Sequence, residues 1–333
     1  MVGFFGEGIP MKTEVRPLWK DVLAAIWLGM VIPGIVLHAC VLMQRKTVEP
    51  QQVLPTEIEI SGRQITLIRS ENGSREVLDI QDYLTGVLLA EMPASFAEEA
   101  LKAQSVAART YTMKACLGGG KHGDGSLCDN PGCCQGYLSE EAYLSKGGTQ
   151  ESLDKVRNAA ADTTPFVLQY DGELIEAVYF SSSGGKTESA LAVWGTDFPY
   201  LQSVESPGEA AAAYEGKVLC FTIEEVQERL GILLEGTPET WFSDVSYTEG
   251  GGVAFMSIMG NKFTGVQLRN LLDLPSTAFS VTAEENRILI TTNGYGHRVG
   301  LSQYGANAMA QNGSSYRQIL GHFYPGATLV PIE

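Results

Sequence analysis

Positive charge is scarce in this sequence: 333 residues carry 23 Lys and Arg against 39 Asp and Glu, a formal charge of −16 and a pI near 4.7. Such a polyanion is not drawn to a nucleic-acid backbone or to an anionic membrane surface, so neither is expected as the main partner, and a neutral or peptide-bearing polymer fits better. Internal repeats are absent, which excludes a solenoid. No regular βα period runs along the chain either, which argues against a doubly wound sheet and favours a mixed α+β fold. Cysteine is limited to six residues, too few for a disulfide scaffold of this length. What is not lacking is core material: 44% of the residues are hydrophobic and 19% charged, the balance of a folded chain rather than a disordered or fibrous one.

One long stretch lacks Asp, Glu, Lys and Arg altogether. Val22–Met43 is an apolar run of about 22 residues, enough at about 1.5 Å per residue to cross a bilayer core of about 30 Å. It is longer than the apolar core of a cleaved signal peptide, and no small-residue cleavage site follows it, so an uncleaved anchor is expected. Lys12, Arg16 and Lys20 precede the run and Arg45 and Lys46 follow it, a small positive-inside bias toward a cytoplasmic N-terminus. Glu7, Glu14 and Asp21 cancel the three leading bases, so the −16 falls on the part beyond the span. The organisation expected is a cytoplasmic tail (1–20), a transmembrane anchor (21–44, holding Cys40), a stalk with Pro50 and Pro55 (45–56), and an extracytoplasmic domain (57–333).

Within that domain the patterning predicts a hairpin from Ile58, Ile60, Ile65 and Leu67 about Ser61-Gly62. It predicts a helix carrying Ile80, Leu84, Val87 and Leu88 that stops at Pro93, and a second helix opened by a Ser95-Phe96-Ala97-Glu98 capping box and running to about Lys114. Phe166–Tyr170 and Leu174–Phe180 read as a hairpin about Asp171-Gly172. Thr222–Glu225 opens a capped helix, residues 265–272 form a short one, and residues 287–291 form a strand.

Glu91 lies where the first helix ends, beside Leu88, Leu89, Ala90, Met92 and Pro93. Desolvation and the negative end of the helix dipole both raise a carboxyl's pKa there, the poise a general acid needs. An arbitrary glutamate at a helix end is more often just a surface residue. The Gly-rich stretch 118–136 holds His122, Cys128, Cys133 and Cys134 and is too polar to hold itself together. Adjacent cysteines do not readily bridge each other, and a Cys3His set suits tetrahedral zinc, with free thiols the plainer alternative. Cys116 and Cys220 read either as buried thiols or as a disulfide.

Three separated blocks carry a resemblance. Leu88–Phe96 continuing through Glu99–Tyr111, then Tyr179–Glu188 with Val193-Trp194-Gly195, then Gly294–Ala306, resemble the signature of stage II sporulation protein D. That family includes the LytB-type amidase enhancers. The resemblance implies a membrane-anchored lytic transglycosylase of peptidoglycan glycan strands, acting in engulfment of the forespore, in the intermembrane space of the sporulating cell. It implies Glu91 as the catalytic residue, acid toward the glycosidic oxygen and then base toward the sugar's 6-hydroxyl, closing a 1,6-anhydro ring. Asp197 and Glu188 remain candidates for the second carboxylate that hydrolysis would require. The resemblance also implies a zinc site at His122, Cys128, Cys133 and Cys134, with Cys133 standing where clostridial relatives have histidine. Four protein ligands leave no open position, so the zinc is expected to be structural.

Substrate contacts are expected at Ser182, Ser183 and Gly184, and at His297, Gln303 and Tyr304 in the last block. Gln104 and Arg109 are expected to reach substrate or hold Glu91, with solvated helix-surface residues as the plainer reading. Arg298, after His297, stands where the family usually has glycine. Expected partners are glycan strands stripped of stem peptides, a cell-wall amidase and membrane proteins of the engulfment machinery. The alternative function is a non-catalytic peptidoglycan-binding module or enhancer that recruits the amidase.

Overall fold

A computed structural model describes residues 64–209 and 214–332. The expected anchor at Val22–Met43, the stalk and the Ile58–Ile60 half of the first hairpin lie outside the described residues. Among the described residues no helix is long and apolar enough to cross a membrane. The fold is mixed α+β, with five small sheets and interspersed helices.

β1 (Gln64–Ile68) buries Ile65 and Leu67 and pairs antiparallel with β2 (Arg75–Asp79). Asp79 then caps α1 (Ile80–Glu91) by accepting from the Gln81 amide. Its apolar residues bury Ile80, Leu84, Val87, Leu88 and Leu89, and the helix ends on Glu91 because Pro93 cannot continue it. α2 (Glu98–Gly118) forms the centre of the main lobe, packed against α1, α4 (Gln150–Asp162), α8 (Gln303–Gln311), α9 (Tyr316–Phe323) and β4 (Phe166–Tyr170). Ala100, Ala103, Ala107 and Ala108 are fully buried along it, and their small side chains let neighbouring elements approach on several sides.

Two local expectations are corrected. The Ser95–Glu98 capping box does not form: the N-cap of α2 is Ala97, without a side-chain cap, and its own amide is taken by Asn307 Oδ1 at 2.8 Å. Tertiary packing against α8 thus replaces local capping. The hairpin about Asp171-Gly172 is shorter than predicted, because β5 (Glu173–Leu174) leaves β4 after two residues. The chain beyond it forms β6 (Tyr179–Phe180), parallel to β13 (Leu301–Ser302). β3 (Leu127–Cys128) adds parallel to β1, and β14 (Thr328–Pro331) covers the other edge of β4. α3 (Glu140–Ser145) and α5 (Ala190–Trp194) are short, and serines cap both.

Residues 217–293 build a separate core from Phe221, Trp241, Met256, Ile258, Phe279, Ile288 and Ile290. β7 (Lys217–Phe221), β11 (Ala278–Ala283) and β12 (Ile288–Asn293) form one sheet there. β8 (Phe242–Tyr247), β9 (Val253–Ile258) and β10 (Asn261–Thr264) form another. α6 (Ile223–Leu230) and α7 (Gly265–Leu272) each open with a complete capping box, the first at the predicted Thr222.

Two buried carboxylates hold this small lobe and the last chain segment to the main lobe. Glu188 Oε1 accepts from Gly252 N (2.9 Å), Thr248 Oγ1 (2.7 Å) and the Arg298 guanidinium (3.2 Å). Arg298 also donates to the carbonyls of Ser183, Lys186 and Gly250. Its φ of +66° lies in the left-handed region that favours glycine, so backbone strain here is offset by a guanidinium with four acceptors. Glu209 accepts from six donors, the hydroxyls of Ser182, Ser183, Ser206 and Ser302 and the amides of Ser183 and Gly184.

Candidate active site and metal cluster

Glu91 is half-buried at the end of α1, and its Oε1 accepts from the Gly136 amide at 2.5 Å. Burial raises its pKa above the ordinary 4.5, and the Gly136 hydrogen bond offsets only part of that rise. No neighbouring carboxylate contributes to the shift. The approach is tight: a Cβ on Gly136 would meet Glu91 Oε1 at 3.0 Å and Ala90 Cβ at 3.3 Å. The segment after Glu91 is pinned from α4, where Lys155 Nζ donates to the carbonyls of Ala94 and Phe96.

The residue before Gly136 ties this corner to the rest of the molecule. Gln135 is buried; its Nε2 donates to Tyr83 Oη and Thr112 Oγ1, and its Oε1 accepts from Tyr179 Oη at 2.9 Å. Burial above all, and then the Glu91 charge, push the Tyr179 phenol well above its ordinary range, so it serves as a hydrogen-bond donor. Sequence patterning offered no sign of Gln135 or Gly136 beyond their place at the end of the cysteine-rich stretch.

That stretch gathers its predicted ligands. Donor atoms of His122, Cys128, Cys133 and Cys134 all lie within 4.8 Å of one another. Cys134 Sγ is 3.4 Å and Cys133 Sγ 3.9 Å from His122 Nε2, and the two sulfurs are 3.9 Å apart. Tetrahedral zinc, with Zn–S of about 2.3 Å and Zn–N of about 2.0–2.1 Å, requires edges of about 3.8 Å between sulfurs and about 3.5 Å from sulfur to nitrogen. The cluster therefore has the donor set and spacing to hold a metal ion, and Cys133 points into it. Burial pushes the Cys128 thiol up, but hydrogen bonds from the Asn130 amide and the other three ligands outweigh it and leave it at about 7. Lys121 Nζ donates to the Cys133 carbonyl beside the cluster.

The other expected site residues divide. Arg109 is fully buried, and its guanidinium donates to the carbonyls of Ala160, Thr163 and Phe166, capping the C-terminal end of α4 rather than facing a cleft. Gln104 is also fully buried, with neither side-chain amide atom hydrogen-bonded. Ser182 and Ser183 face inward with their hydroxyls on Glu209, and Gly184 gives the same carboxylate its amide. Gln303 is buried at the start of α8. Tyr304 is partly exposed, its ring 5.1 Å from Phe96 and 6.1 Å from Tyr214.

His297 sits between Phe180 (5.6 Å) and Trp194 (5.3 Å), accepting at Nδ1 from the Val299 amide and bonded to the Tyr179 backbone. Burial, reinforced by Arg269, holds its pKa down at about 4, so the ring is neutral near pH 7. Of the two candidates for a second carboxylate, Glu188 is locked against Arg298, and Asp197 is exposed and accepts from Gln202.

Comparison with known proteins gives a consistent set. Residues 69–170 match the family described as Stage II sporulation protein. The chain is 37% identical over 269 residues to stage II sporulation protein D of Bacillus amyloliquefaciens, covering 80% of this chain and 78% of that protein. It is 36% identical over 276 residues to the Bacillus subtilis (strain 168) protein of the same description, covering 82% and 80%. It is 28% identical over 304 residues to the amidase enhancer of Bacillus subtilis (strain 168), covering 74% of this chain and 40% of that protein.

Proposed function

This chain belongs to the stage II sporulation protein D family, and from that premise we propose that it is a peptidoglycan lytic transglycosylase cutting glycan strands during engulfment. The observation that carries the reading is the setting of Glu91: a half-buried carboxyl at a helix end, its proton affinity raised by burial, with the Gly136 amide as its donor. A hydrolase needs a second carboxylate as nucleophile or base toward water, at about 5–9.5 Å. One carboxyl suffices when the sugar's own 6-hydroxyl attacks. Protonated Glu91 gives its proton to the leaving glycosidic oxygen; the resulting carboxylate takes the 6-hydroxyl proton as the 1,6-anhydro ring closes. The Gly136 N–H steadies the carboxylate between the two transfers.

His122, Cys128, Cys133 and Cys134 would hold zinc as a closed structural site. When bound, the ion supplies a cross-link between the Leu127–Cys128 strand and the turns that carry His122 and Cys133-Cys134. These ligands immediately precede Gln135 and Gly136, so fixing the loop fixes the donor on Glu91. Val22–Met43 serves in this reading as the anchor that places the domain outside the cytoplasm.

Mass spectrometry of digests of purified, peptide-stripped strands is the test. Wild type is expected to yield anhydro ends and Glu91→Gln none; water-added reducing ends or undiminished cleavage by Glu91→Gln would refute it. A second reading, an enhancer that recruits a wall amidase, is favoured by the similarity to the amidase enhancer. It expects Glu91→Gln to retain full stimulation of amidase.

A further inference from the structure

Leu191 and Trp194, one turn apart on α5, are exposed, as is Tyr295, two residues before His297. Scattered apolar residues on a surface are ordinary, but Trp194 packs on an imidazole that is itself held by a hydrogen bond and a second ring. Trp194 is 44% exposed, and its ring lies 5.3 Å from His297. His297 in turn is packed on Phe180 and bonded to the Val299 amide and the Tyr179 backbone. The indole thus rests on a fixed support with much of its surface open to solvent. Polar groups of two other elements reach the same neighbourhood: the charges of Arg269 on α7 and of Lys121 in the cysteine loop both act on His297.

We propose that Trp194 is a sugar-stacking platform, a glycan subsite remote from the bond that is cut. The proposal rests on the glycan-strand reading above. The ligand chemistry follows from the surface: an indole offers a flat, polarisable face to the C–H face of a pyranose. Continuity with Glu91 is direct. Tyr179 bonds His297 through its backbone and Gln135 through its hydroxyl, and the next residue, Gly136, bonds Glu91. His297 is a positioning residue that acts through Trp194.

The experiment measures binding of peptide-stripped strands, long and short, to full-length Glu91→Gln protein with and without Trp194→Ala, and cleavage of the same strands by the single Trp194→Ala variant. Long strands are expected to bind about tenfold more weakly without the indole, about 1.4 kcal/mol, with a matching rise in KM and little change in kcat. The shortest strands that are cut are expected to lose nothing, and Trp194→Tyr to restore most of the loss. His297→Ala should leave Trp194 emission more accessible to a soluble quencher.

Equal binding of long strands with and without the indole would overturn the platform while leaving the Glu91 reading intact. So would equal losses for long and short strands, or a loss confined to binding of a protein partner. Strand cleavage that survives Glu91→Gln would overturn the Glu91 reading while the platform stands or falls on the binding data. No binding of any strand by the parent protein would overturn both.

Discussion

Glu91 and Glu209 are both glutamates at chain turns, yet the molecule treats them in opposite ways. Glu209 is buried under six donors from three segments. Glu91 has one donor and partial access to solvent. A carboxylate that satisfies every neighbour spends its lone pairs on architecture. A carboxylate left short of partners in a desolvated corner holds its proton more tightly and can hand it on. In the proposed reading, the single donor on Glu91, against the six on the more deeply buried Glu209, is what leaves its carboxyl free for chemistry.

The largest expected effect puts that contrast to the test directly. Glu91→Gln should lower strand cleavage by roughly 100- to 10,000-fold with no loss of denaturation midpoint. Glu209→Gln should do the reverse in stability, costing roughly 3 kcal/mol or more, because several buried donors lose an acceptor at about 1–3 kcal/mol each. Urea titration of both variants beside digestion assays decides it; equal activity losses in two equally stable variants would erase the distinction.

Next in size is the buried ion pair. Arg298→Met leaves Glu188 charged and unpaired at the junction of the lobes, an expected loss of roughly 3–5 kcal/mol read by the same titration. A third, smaller effect concerns the support of Glu91. Cys128→Ser, or chelation of wild type, should release about one equivalent of metal by elemental analysis and should weaken hydrogen-exchange protection of the Gly136 amide. Unaltered exchange at Gly136 would separate the cluster from Glu91.

The smallest effect is in pH dependence. Because the folded-state pKa of Glu91 lies above 4.5, the native state binds more protons than the unfolded one between those values. Stability contributed by that protonation is present below 4.5 and lost as pH rises through the folded value. Glu91→Gln should therefore gain on wild type as pH rises from 4.5 and then hold a constant lead. His297 has the opposite sign: its pKa is lowered from 6.5 to about 4, so stability is lost as pH falls across that window. A proton-resonance titration of the imidazole with a midpoint near 6.5 would contradict the half-buried, doubly bonded ring.

Much of the local architecture was legible in the sequence, because it rests on local rules. The end of α1 at Pro93 and the cap at Thr222 are settled by backbone chemistry within a few residues. The gathering of His122, Cys128, Cys133 and Cys134 into a cluster that could hold a metal was legible for the same reason, since three of them fall within seven residues. The Ser95 box failed because Asn307, over two hundred residues away, takes the amide of Ala97. Ser182 and Ser183 looked like cleft residues because a Ser-Gly loop carries no mark of Glu209, which arrives from a segment with no pattern of its own. Arg109 reads as a helix-surface cation until α4 is known to end against it. Long-range hydrogen bonding to single polar residues is the part that periodicity and spacing do not encode.

The left-handed Arg298 has a consequence for how this chain can change. Its backbone conformation would suit glycine better, but removing the guanidinium strands the Glu188 charge, and neutralising Glu188 alone strands the guanidinium. Neither single step is open without loss, while the double change to glycine and a neutral residue should restore most of what either costs. The pair therefore resists substitution one residue at a time, each charge holding the other in place.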